Sequence, residues 1–114
     1  VVFDALGVKW AAAAGGGGDP LTPTASKTTT YVTAAGEYVL CDTSSGAFTV
    51  TLPAAATAAT GAQVGFKMTG SGTNALTIEG DGSETIDGAL NKTLLAQYES
   101  LVLLCDGSNW HIIG

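Results

Sequence analysis

Between residues 48 and 79 apolar and polar side chains alternate in three separate runs. Phe48, Val50 and Leu52 are interleaved with Thr49 and Thr51; Val64, Phe66 and Met68 with Gln63, Gly65 and Lys67; Leu76 and Ile78 with Thr77 and Glu79. A period of two is that of a strand with one buried face, whereas a helix would scatter the same residues around its circumference. Shorter strand candidates are residues 38–41, 85–87, 92–94 and 110–113. Residues 101–105 are apolar on both faces, which suits a central or interface strand. Pro53 ends the first run, and Gly/Ser/Asn/Asp clusters at 42–46, 70–72, 80–82, 87–88 and 106–109 supply the turns. Only residues 54–60, AAATAAT, favour helix, and lacking an apolar stripe they allow one turn at most. The pattern predicts an all-β fold, an antiparallel sandwich or partly open barrel of about eight short strands.

Upstream the texture changes. Residues 11–30 read AAAAGGGGDPLTPTASKTTT, in which four consecutive glycines carry the largest backbone entropy cost and Pro20 and Pro23 favour extended chain. Six of the first ten residues are large and apolar: Val1, Val2, Phe3, Leu6, Val8 and Trp10. Residues 1–30 thus read as an extended N-terminal arm with its linker, and residues 31–114 as the β domain. The opening stretch lacks a basic leader and is broken by Asp4 and Lys9, so it does not read as a secretory signal.

Charge narrows the partners. Of 114 residues 12% are charged, against roughly 25% in typical soluble domains, and the formal net charge is −6. With four Lys, no Arg and ten carboxylates the chain is a poor binder of phosphates, so nucleic acid is not expected as a partner. No run approaches the roughly 20 apolar residues that span a bilayer, so membrane insertion is not expected either. A small body with few charges and one strand apolar on both faces points to surface covered by further copies of the chain, in a cyclic homo-oligomer. Leu101, Leu103, Leu104, Trp110 and Ile112 are the candidates for that interface or for the core.

Chemistry-bearing residues are sparse. His111 is the only histidine, no Gly-x-Ser-x-Gly elbow occurs, and strand alternation turns His111 outward from Trp110 and Ile112. Glu79, Asp81, Glu84 and Asp87 fall within ten residues but miss the EF-hand spacing, so they read as solvated acids around a turn in which Gly80 and Gly82 take positive φ. The glycine run has no following Lys-Ser/Thr and is not a phosphate loop. Cys41 and Cys105 each follow an apolar run and read as buried, reduced thiols. No catalytic residue, cofactor or metal is expected.

Four stretches in order carry a resemblance. Residues 38–54, YVLCDTSSGAFTVTLPA, resemble the strand–turn–strand–Leu-Pro opening of a small β domain that recurs in structural proteins of tailed bacteriophages. Residues 61–67, GAQVGFK, resemble its Gly-x-x-Val strand. The pieces 76–78, LTI, and 84–88, ETIDG, resemble the hairpin that follows. Residues 98–113, YESLVLLCDGSNWHII, resemble its closing hairpin. The resemblance spans about residues 31–113 and leaves the arm outside it. It implies a virion protein assembled in the host cytoplasm, generally homotrimeric, of the kind found in capsid decoration proteins, head fibres, tail fibres and tail spikes, with no catalytic residues to carry over. The expected function is a trimeric capsid decoration or head-fibre protein that docks on the major capsid protein, or another virion protein, through Val1, Val2, Phe3, Leu6, Val8 and Trp10. The alternative is a tail-fibre or receptor-binding module that recognises host surface glycans.

Overall fold

The structure, a computed structural model, describes residues 21–71 and 74–114. It is mostly β. The strands are β1 (Thr22–Pro23), β2 (Tyr31–Val32), β3 (Glu37–Cys41), β4 (Phe48–Thr51), β5 (Gln63–Met68), β6 (Leu76–Glu79), β7 (Asn91–Leu94), β8 (Ser100–Cys105) and β9 (Trp110–Ile112), with one short helix, α1 (Ala55–Ala58), between β4 and β5. They form a five-stranded sheet in the order β1-β3-β5-β8-β9 and a four-stranded sheet in the order β2-β4-β6-β7.

The expected antiparallel arrangement needs correction, because both sheets are mixed. From β1 to β6 the chain changes sheet at every connection, so two strands neighbouring in one sheet are separated by an excursion through the other and run the same way. The pairs β1·β3, β3·β5, β2·β4 and β4·β6 are parallel. A parallel pair always needs such a crossover, usually a helix; here a strand of the facing sheet supplies it. Only after β6 does the chain double back, in the antiparallel pairs β6·β7, β5·β8 and β8·β9. Neither sheet closes into a barrel.

The alternating runs bury the faces expected of them. Val39, Cys41, Val64, Phe66, Met68, Leu101, Leu103, Cys105 and Trp110 from the larger sheet meet Val50, Leu76, Ile78 and Leu94 from the smaller in one core cluster, joined by Leu52, Ala55 and Ile86. Three local differences stand out. Residues 85–87 form no strand: Asp87 and Gly88 take positive φ (48° and 84°), and Ile86 enters the core through single bridges to Ala89 and Trp110. Gly82 takes positive φ but Gly80 does not; a Cβ on Gly80 would collide with the Glu84 carbonyl. Finally, part of the polar stretch 21–30 lies on the sheet, with Thr22, Thr24 and Lys27 N–H donating to the carbonyls of Gly36, Tyr38 and Leu40 (2.8, 3.0 and 2.8 Å). Pro23 is accommodated because β1 is an edge strand, where no donor is missed.

Both cysteines are buried free thiols. Cys41 pairs with Met68 at one end of β5, and Cys105 follows Leu104, which pairs with Gln63 at the other. At about 3.3 Å per residue their Cα atoms lie on the order of 20 Å apart, far beyond the roughly 7 Å that a disulfide tolerates. Burial pushes the Cys41 thiol up to about 12. Neither thiol is expected to react with a thiol reagent until the protein unfolds, and reductant should leave the melting temperature unchanged. Replacing both by Ala should cost only about 1 kcal/mol each. A marked reductant-dependent drop in melting temperature would contradict the assignment.

Candidate functional site

The residues singled out from the sequence separate into three groups. Val1, Val2, Phe3, Leu6, Val8 and Trp10 lie outside the described residues. Leu101, Leu103 and Trp110 point inward and belong to the core. The Trp110 indole Nε1 is buried without an acceptor among the described residues, a cost of about 1–3 kcal/mol that its large apolar surface offsets. Leu104 projects outward from β8 and is half-buried, and Ile112 at the β9 edge is 36% exposed.

Outward-pointing side chains give the two sheets different outer faces. In the larger sheet, Val39, Val64 and Phe66, Leu101 and Leu103, and Trp110 point inward, so the residues between them point out. Cross-strand register then aligns Pro23, Tyr38, Gly65 and Val102 in one row. Pairing continues past β9, where Ile113 N–H donates to the Val102 carbonyl at 2.8 Å, and this brings Ile113, 52% exposed, to the end of the row. Leu40 flanks the row on one side and Leu21 and Leu104 on the other. Gly65 makes this surface flat: the Tyr38 ring lies over it, and a Cβ there would collide with Cδ1 of that ring, sit 2.7 Å from Cε1 and meet Leu21 Cδ1 at 3.2 Å. The flanking rows are mixed, with Lys67 and Ser100 in register with Leu40 and with Gln63 and His111 in register with Leu104, but no carboxylate among the described residues stands in the central row.

The smaller sheet is polar outside. Its register aligns Thr49, Thr77 and Thr93 in one row and Val32, Thr51, Glu79 and Asn91 in another. Hydroxyls, an amide and a carboxylate there leave little apolar surface to cover.

A polar cluster surrounds His111. Its Nε2 is 2.7 Å from Asp106 Oδ2, and its Nδ1 is 3.7 Å from Asp87 Oδ1. Asp106 Oδ1 also accepts from Ser108 and Asn109 N–H, both at 2.8 Å, which ties off the β8–β9 turn. Asp87 accepts from Ile112 N–H at 3.3 Å. The two carboxylates sit on opposite ring nitrogens, and among the described residues no hydroxyl or thiol hydrogen-bonds to the imidazole and no group of acids, His and Cys is placed to share a metal. The geometry fastens the hairpin rather than activating a nucleophile. Glu84, expected to be solvated, is half-buried and accepts from Ala55 N–H (2.9 and 3.2 Å), which caps the helix start from 29 residues away.

The His111 contact and the two backbone donors hold the Asp106 carboxyl at about 2. An acid with a depressed folded-state pKa adds stability that is present above its unfolded value, about 4, and is lost as pH falls through about 2. Asp106→Asn should therefore flatten the fall in melting temperature between about pH 4 and about pH 2 relative to the intact protein. Superimposable profiles would show that this cluster contributes nothing to acid sensitivity.

Among the described residues no helix is long and apolar enough to cross a membrane. No protein-family model matches the chain, and no curated protein matches it.

Proposed function

We propose that this chain is a non-enzymatic structural protein of a bacteriophage virion, a homotrimeric β module of the capsid decoration or head-fibre type, docked through residues 1–10 on the major capsid protein or another virion protein. One observation carries the reading: six of the first ten residues are large and apolar and are set off from the β domain by the run Gly15–Gly18, the pattern of a separate adhesive arm. The four stretches that resemble the phage domain support it by forming consecutive parts of that single body, from β3 and β4 through β5 and β6 to the β8–β9 hairpin.

Among the described residues the glycan-binding alternative rests on one exposed aromatic. Tyr98 is 62% exposed at positive φ (68°), with the Lys67 ammonium 5.6 Å from its ring. Trp110 is fully buried and offers no stacking surface. Sedimentation with phage particles that lack the protein separates the two readings. A decoration protein pellets with such particles and shows no saturable response to host surface glycans. Glycan binding that is abolished by Tyr98→Ala, with no particle binding, would reverse the order.

A further inference from the structure

We infer that the outer face of the five-stranded sheet is where copies of this chain meet, with the row Pro23–Tyr38–Gly65–Val102–Ile113 at the centre of the contact. This rests on the homotrimeric reading above and gives it a place on the molecule. At about 4.8 Å per strand the row crosses the whole sheet, some 19 Å, without a charged or amide side chain. Leu21, Leu40 and Leu104 widen it on both sides.

Charge selects the occupant. A chain of formal charge −6 repels its own copies wherever its carboxylates project. Among the described residues Glu37 stands at the start of β3, its carboxylate taken up by the Tyr31 hydroxyl and the Ala34 N–H, Asp106 is held on His111 at the sheet edge, and Asp42, Glu79, Asp81, Glu84, Asp87 and Glu99 belong to turns, strand ends or the other sheet. The central row carries none of them, so along it a second copy can approach without meeting like charge, and Lys67, beside Leu40 on the same face, is of the sign that favours an acidic neighbour. Shape agrees with charge. Because Gly65 lacks a side chain, Tyr38 lies down on the sheet instead of standing away from it, leaving a low surface of the kind that packs face to face. Three copies with these faces toward a common axis would cover the apolar rows and leave the threonine rows of the smaller sheets in water.

The test places a carboxylate on the face and reads mass and fold separately. Val102→Glu strikes the centre of the row; Ile113→Glu strikes its exposed end, where the fold tolerates a charge; Thr77→Glu on the opposite sheet is the control. Light scattering should give three chains for the intact protein and for Thr77→Glu. Ile113→Glu and Val102→Glu should weaken association by about tenfold or more while the far-ultraviolet β signal persists. If Val102→Glu does not fold, Ile113→Glu decides alone. Folded variants that keep the intact mass would place the contact elsewhere and leave the trimer standing. A monomeric intact protein would overturn both the face and the trimer, and particle binding, measured independently, would still judge the virion reading.

Discussion

Leu103→Asp should leave no folded protein at 25 °C. Leu103 is fully buried on β8, paired with Val64 on one side and Ile112 on the other, and so stands between neighbouring strands of the larger sheet. Removing a buried Leu side chain costs about 2–5 kcal/mol in lost transfer and cavity terms. A carboxylate put in its place, with no cationic side chain in the core cluster to pair with it, adds several kcal/mol of desolvation or an equivalent upward shift of its pKa. The sum matches or exceeds the roughly 5–15 kcal/mol that holds a domain of this size together. Leu101→Asp should act in the same direction with a smaller effect, since Leu101 keeps slight exposure. Leu104→Asp is the informative contrast: it points outward, and the body should stay folded. Circular dichroism and expression of soluble protein would check all three. A folded Leu103→Asp protein with a native melting temperature would show that β8 is placed wrongly.

That contrast between positions 103 and 104 was half legible beforehand. Leu101, Leu103 and Cys105 share one parity and Val102 and Leu104 the other, but five apolar residues in a row do not say which parity faces the core. The alternating runs did: Val50 and Leu52, or Val64, Phe66 and Met68, could bury only one way. Strand direction was not readable, because alternation reports which face is buried and is the same signal for parallel and antiparallel neighbours. The turn 42–46 sits between two strands much as a hairpin would, yet carries the chain across to the facing sheet, from β3 to β4.

Other features were hidden for different physical reasons. Thr22 and Pro23 join the sheet through backbone hydrogen bonds, which leave little mark in a polar stretch. Ile86 is a single apolar residue in an acidic loop, and one residue has no period. The row through Tyr38, Gly65 and Val102 depends on register between strands far apart in sequence, although Gly65, standing where an outward side chain should be, was a visible sign of close approach. Asp106 and His111 are five residues apart across a turn, a proximity that the Asp-Gly-Ser-Asn hairpin signal allowed but did not require.

The second large effect is expected at the other end of the chain. Burying five or six side chains of the size of Val, Leu, Phe and Trp offers on the order of 10 kcal/mol of gross transfer free energy, of which ordering the arm and its glycine run consumes much. One arm then binds modestly, but three on one trimer act together, and linked weak contacts gain avidity that no single one has. Loss of the arm should thus remove binding almost wholly rather than by degrees. The body, in which the described residues supply a core from Val39 to Trp110, should remain folded, with its melting temperature little changed.

Rebinding to phage particles that lack this protein tests the central claim most directly, with the intact chain compared against a chain missing residues 1–18 at equal concentration. The account predicts that the intact protein pellets with the particles to saturation and that the shortened protein, still folded and of the same oligomeric mass, stays in the supernatant. Equal decoration by both would contradict docking through the arm and move attachment to the β body. Failure of the intact protein to bind any virion surface would contradict the structural role itself.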